Sequence, residues 1–152
     1  MIDTQHIGLQ LPTVRFEVEK GRLRFFAKAT GETRPEYLDE AAAKAAGYRS
    51  LPAPPTFLMG ADLDAGTMTA LLDTLGVPIG RILHGEQSFT YHAPVCAGDA
   101  LSVESKISDI YSKKNGALEF IVKDSLIKDA QGKTVVEARS VIVFRNPQEK
   151  SA

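Results

Sequence analysis

The stretch GETRPEY, residues 31–37, places the carboxylate of Glu32, the guanidinium of Arg34 and the phenol of Tyr37 close together around Pro35. A carboxylate can accept a proton and a phenol can donate a hydrogen bond, so the stretch has the groups of an active-site-like polar segment. Tyrosine, with an ordinary pKa of about 10, is a poor base at neutral pH. A plainer reading stands beside this one. A Glu just ahead of a helix commonly serves as a first-turn or capping residue, and a Tyr at a helix start commonly packs. Arg34 suits either a bound phosphate or solvent.

Other groups able to move protons or attack carbonyls are few. Of the three histidines, His84 lies at the start of a strand-like stretch, His92 just precedes Ala93-Pro94, and His6 sits in an unpatterned N-terminus. His84 and His92 lie eight positions apart with no cysteine or carboxylate cluster at ligand spacing, so no metal site is expected. Cys96 stands beside a turn without an evident base, a weak nucleophile. Asp99, in AGD, reads as a turn residue. Lys113 and Lys114 read as a solvated hairpin tip.

The elements that must hold these groups follow from composition and period. A chain of 152 residues fits one domain and can bury roughly two thirds of the surface its unfolded form exposes. Net charge is −1, with basic and acidic residues mixed along the chain, so nucleic acid is not an expected partner. No apolar run approaches the roughly 20 residues of a membrane span, and no basic-then-apolar leader opens the chain. With its single cysteine, it reads as a cytoplasmic protein.

Residues 1–13 show no clear period, and the terminal NPQEKSA is polar enough to fray. TVRFEVEKG alternates as a half-buried strand, and GRLRFFAKATG reads as a helix closed by Gly31. PEYLDEAAAKAAGY reads as one helix with Pro35 in its first turn and Gly47 at its end. After LPAPP, the apolar residues of TFLMGADLDAGTMTALLDTLG predict one helix buried inside the protein, weakened by Gly60 and Gly66. From residue 81 the period becomes two, and ILHGEQSFTYHAP, DALSVESKISDIY, ALEFIVKDSLIKD and KTVVEARSVIVFR predict four strands. CAGD, KKNG and DAQG separate them as turns. In the last strand Val136, Ala138, Ser140, Ile142 and Phe144 share one face while Glu137, Arg139 and Arg145 fall on the other, which predicts one dry and one wet face. Helices followed by consecutive antiparallel strands predict an α+β domain whose sheet wraps one buried helix.

FAKATGETRPEYLDEAAAKAAGY, LPAPPTF, LHGEQSFTYHAPVCAGD and DAQGKTVVEARSVIVFR, in this order over about residues 8–145, resemble the MaoC-like acyl-thioester dehydratases and hydratases, in particular their N-terminal-type hotdog domain. The resemblance implies a hotdog fold over residues 1–152 and the addition of water to a trans-2-enoyl thioester, or its reverse, without a cofactor. Active members carry a G-D-x-N-P-x-H segment. Here Glu32 stands at the Asp position, Arg34 at the Asn, Pro35 matches, and Tyr37 replaces the His. Pro55 stands where a Gly commonly donates its N–H to the thioester oxygen, and Pro has none to give; Thr56 follows with an N–H of its own.

Arg34, Pro55, Thr56, Phe57 and His84 are therefore the substrate-binding candidates, and Glu32 and Tyr37 the catalytic ones. With both positions of the acid/base pair altered, the resemblance implies a subunit that binds the acyl chain of enoyl-CoA or 3-hydroxyacyl-ACP while a MaoC-like partner supplies the intact pair. An active homodimer using Glu32 and Tyr37, a non-catalytic thioester-binding module, and a thioesterase built on Asp62 or Asp64 remain as alternatives.

Overall fold

The computed structural model describes residues 1–64 and 66–146, apart from the side chains at positions 61 and 62. The strand β1 (Val14–Glu17) and helix α1 (Lys20–Ala29) precede two short helices, α2 (Glu40–Ala45) and α3 (Met59–Asp64). A further helix α4 (Thr67–Leu75) leads into β2 (Ile82–Tyr91), β3 (Ala100–Lys113), β4 (Leu118–Lys128) and β5 (Thr134–Arg145). The strands form one antiparallel sheet in the order β1-β3-β4-β5-β2, which leaves β1 and β2 at its edges. Among the described residues no helix is long and apolar enough to cross a membrane.

The inner face of the sheet carries two apolar clusters. In one, Leu101, Val103, Ile127 and Val136 pack with Leu23, Ala43, Phe57 and Leu58 from the helical side. In the other, Ile107, Ile110, Ile121, Ile142 and Phe144 pack with Leu71 and Leu72 of α4. Removing these side chains from water is the main stabilising contribution, at about 25 cal/mol for each Å² of apolar surface buried. The expected turns close as their residues require. Asp129 accepts from the backbone N–H groups of Gln131 and Lys133, and Asp99 accepts from that of Cys96. Asp99 also pairs with Arg49.

Several expectations are corrected. PEYLDEAAAKAAGY is not one helix: Pro35–Tyr37 forms a single 3-10 turn, and α2 starts afresh after Asp39. Asp39 is extended (φ −125°) and accepts the Ala42 N–H at 2.8 Å, an N-cap that divides the segment. The long apolar helix also divides, into α3 and α4, at Gly66 with φ +70°. Leu63 is 55% exposed, so the helical segment is not enclosed on all sides in the single chain.

β5 does not have one wet face throughout. Glu137, Arg139 and Arg145 are exposed, but Val141 and Val143 on that same outer face are buried. Residue pairing places them between Glu86 and Leu83 of β2 and Val122 and Phe120 of β4, so both strand neighbours cover them. The unpatterned N-terminus is also structured: Gly8 and Leu11 donate to the Ile107 and Ser105 carbonyls, and Ile2 and Leu11 are buried. Residues 147–152 of the polar terminal stretch, and the Asp62 side chain, lie outside the described residues.

One irregularity in β2 bears on the site. The β2–β5 register shifts between His84 and Glu86, so the inner-face series Ile82, His84 continues as Gln87, Phe89, Tyr91. Without the extra residue Tyr91 would point to the outer face. Gly85 sits in this bulge because a Cβ there would lie 2.9 Å from Val143 Cγ2 and 3.0 Å from the Val141 carbonyl oxygen. Gly85→Ala is therefore expected to lower stability by about 1–3 kcal/mol, as crowding a packed position does. Thermal unfolding checks this, and an unchanged midpoint would show that the bulge has room to spare.

Candidate functional site

Helix α1 ends in a motif that fixes the first candidate residue. Gly31 (φ +72°) reverses the chain so that its N–H bonds to the Lys28 carbonyl and the Glu32 N–H bonds to the Ala27 carbonyl at 2.8 Å. This six-to-one closure needs a left-handed residue at Gly31. The chain then runs through Thr33 and Arg34 into the 3-10 turn, where the Tyr37 and Leu38 N–H groups return to the Arg34 and Pro35 carbonyls.

Between these two closures Glu32 is fully engaged. Arg34 Nε donates to Glu32 Oε1 at 3.0 Å and Arg34 Nη2 to Oε2 at 2.7 Å, a fork on both carboxylate oxygens. The backbone N–H groups of Thr33 and Arg34 each donate to Oε1 at 3.0 Å. The Arg34 side-chain bonds, followed by the backbone bonds, lower the Glu32 pKa to about 2. The carboxylate is thus a weak base. The same guanidinium lies over the Tyr37 ring, 4.6 Å from its centroid. Tyr37 is 8% exposed, and burial raises its pKa, so its hydroxyl is a proton donor at neutral pH.

Tyr37 lines a cavity of about 380 Å³ whose walls include Pro52, Pro54, Pro55 and Pro94, with Tyr48, Tyr91 and His92. Three of the chain's four tyrosines meet there. Residues 51–53 run beside 95–97, with Ala53 N–H on the Val95 carbonyl at 2.7 Å and Ala97 N–H on the Leu51 carbonyl at 2.8 Å. Pro54 to Phe57 then forms a tight turn closed by Phe57 N–H on the Pro54 carbonyl at 3.1 Å. Pro55 takes the first central position and Thr56, at φ +72°, the second, as in a type II turn. A β-branched residue is strained in that conformation. The Thr56 N–H is not open to a ligand as it stands: it donates to the Tyr91 hydroxyl at 3.2 Å.

The structure therefore brings Tyr37 and Pro55 to one cavity, places Thr56 against it through Tyr91, and sets Glu32 and Arg34 beside it at the Tyr37 ring. It does not bring Phe57, His84 or Asp64 there, whereas His92, given no role from the sequence, does line the cavity. Phe57 is buried between Phe16 and Phe26, at centroid distances of 6.0 and 5.5 Å. His84 is exposed on the edge strand β2, opposite Ile142. Asp64 pairs with Arg22 on the surface, and His92 lies 3.0 Å from Glu137. Tyr48 and Tyr91 were missed from sequence. The signal for Tyr91 is Gly85: a lone glycine in a strand pattern marks a bulge, and counting faces past it turns Tyr91 inward.

A single antiparallel sheet carrying a divided helix, with a cavity between the helical segment's start and a strand end, defines a hotdog domain of the MaoC-like dehydratase kind. The family model described as "FAS1-like, dehydratase domain region" matches residues 5–138, and the chain belongs to that family. It is similar to a UPF0336 protein of Streptomyces griseus subsp. griseus, 37% identical over 149 residues, covering 97% of this chain and 98% of that one. Among solved structures it is similar to the C-terminally truncated HadBC complex, 3R-hydroxyacyl-ACP dehydratase, of Mycobacterium tuberculosis. That likeness has a TM-score of 0.78 and 27% identity over 91% of this chain and 96% of that one. The MaoC-like dehydratase of Rhodospirillum rubrum gives a TM-score of 0.62 and 28% identity over 93% and 94%.

The state of Glu32 can be read directly. Because its folded pKa is depressed, the pair stabilises the fold above the ordinary carboxylate range, and this contribution is lost as pH falls towards 2. A carboxyl-carbon NMR titration is expected to find Glu32 near pH 2 in the wild type and clearly higher in Arg34→Gln, which loses the fork, while the Thr33 and Arg34 backbone N–H bonds keep it below the ordinary value of about 4.3. An ordinary value in the wild type would mean the fork is open in solution.

Proposed function

We propose that this chain, one hotdog domain over residues 1–152, is the acyl-thioester-binding subunit of a hydratase or dehydratase acting on enoyl-CoA or 3-hydroxyacyl-ACP. A MaoC-like partner supplies the Asp/His pair that moves the protons. The observation that carries this reading is the Arg34 fork on Glu32. A carboxylate with a pKa of about 2 beside a protonated phenol provides one donor, the phenol, and no effective base near neutral pH. The cavity, walled by Pro52, Pro54, Pro55 and Pro94, keeps the apolar surface an acyl thioester needs.

Two further features support the assembly. HadBC is named as a complex and as a 3R-hydroxyacyl-ACP dehydratase, a precedent within the fold for two subunits serving one thioester reaction. Among the described residues β2 pairs only with β5, so its other edge has ladder groups for a neighbouring sheet, in a second copy or in a partner. The buried, unpaired Cys96 thiol suits a reducing cytoplasm.

A second reading, a homodimer active through Glu32 and Tyr37, is favoured by the placement of Tyr37 on the cavity wall. Hydration of crotonyl-CoA separates the two. The chain alone is expected to be slow, whereas the chain co-purified with a partner bearing an intact G-D-x-N-P-x-H segment is expected to reach a kcat/KM of about 10⁴–10⁸ M⁻¹s⁻¹. Glu32→Gln should leave that assembly unchanged. Turnover in this range by the chain alone, falling roughly 100-fold or more in Glu32→Gln, would overturn the subunit reading in favour of the homodimer.

A further inference from the structure

The cavity is short of hydrogen-bond donors. Pro52, Pro54, Pro55 and Pro94 in its wall have no N–H, and the N–H groups of Ala53, His92 and Ala93 are spent on the Val95 and Val135 carbonyls. A carbonyl oxygen entering it meets few backbone donors, and a side-chain hydroxyl is a ready partner. Tyr91 is the one whose hydroxyl is oriented from behind. Its oxygen accepts the Thr56 N–H at 3.2 Å, and its ring stacks on Phe89 with centroids 5.8 Å apart and planes at 29°. Its backbone is paired to Val136 in the sheet. A phenol has one proton to give, and an oxygen that already accepts a hydrogen bond gives it more readily. Among the described residues no acceptor takes that proton.

The strain at Thr56 belongs to the same arrangement. The positive φ at the second central turn position, +72°, flips the peptide between Pro55 and Thr56 relative to the commoner type I turn. The N–H that this peptide presents is the one donated to Tyr91. The proline that cannot donate and the strained threonine that can are thus adjacent, and the threonine's N–H is relayed through a hydroxyl.

We infer that Tyr91 is the carbonyl-recognising residue of this cavity: its hydroxyl, held by the Thr56 N–H, donates to the thioester oxygen and selects acyl thioesters over ligands without the carbonyl. This rests on the proposed binding of acyl thioesters, and the test separates the two. Calorimetric titration with butyryl-CoA and with its thioether S-butyl-CoA compares ligands that differ only by the carbonyl oxygen. The saturated chain also removes any hydration. The wild-type chain is expected to prefer the thioester by about 5- to 10-fold, the value of one hydrogen bond. Tyr91→Phe is expected to bring the two affinities together without losing the thioether. Because the readout is a ratio on one variant, a partly destabilised fold does not mimic it. A preference that survives in Tyr91→Phe, or a wild type that binds both ligands equally, overturns the role of Tyr91 and leaves the binding function standing. Failure of the wild type to bind either ligand overturns both.

Discussion

The fork between Arg34 and Glu32 governs the chemistry of the whole site. Both carboxylate oxygens are taken by one guanidinium and the Oε1 atom also receives two backbone N–H groups, so the charge is held in place and its proton affinity is low. The same guanidinium covers the Tyr37 ring, which couples the state of the carboxylate to the position of the phenol. The arrangement depends in turn on the closure of α1 at Gly31 and on the 3-10 turn at Pro35, which hold the two residues in a conformation where their side chains meet.

A second constraint comes from the sheet. The edge strand must place its last residues over the start of the helical segment, and the bulge at Gly85 turns Gln87, Phe89 and Tyr91 to the inner face to do so. Prolines then form much of the cavity wall, which is apolar and almost without backbone donors. The polar side chains left are three phenol hydroxyls and the His92 imidazole, which lies 3.0 Å from Glu137. Such a lining offers apolar contact to an acyl chain and hydroxyl donors to an oxygen, which is consistent with a binding role beside a catalytic partner.

The sheet was legible because its residues obey a period of two and its turns contain the Asp, Asn and Gly residues that tight turns need. Helix extent was less legible. Asp39 looks like an ordinary helical position until its side chain is seen to accept the Ala42 N–H, and Gly66 breaks the apolar run only because it adopts a positive φ. The candidate segment was partly legible: Glu32, Arg34 and Tyr37 were singled out together, but not that Arg34 forks onto the Glu32 carboxylate. Residues two apart do not meet on a helix. They meet here because the loop between two closures folds them together, a conformation with no sequence period. Tyr91 lay beyond reach for a related reason, since its facing depends on one extra residue in a strand.

The proposed role is that of a chain that binds an acyl thioester without hydrating it. A single-turnover experiment with the protein in excess over crotonyl-CoA tests this most directly, because it separates binding from chemistry and does not depend on product release. The thioester is expected to be bound and to remain crotonyl-CoA over many minutes. Conversion of the bound thioester at an ordinary enzymatic rate, about 1 s⁻¹ or faster, would contradict it and return Glu32 to the role of base.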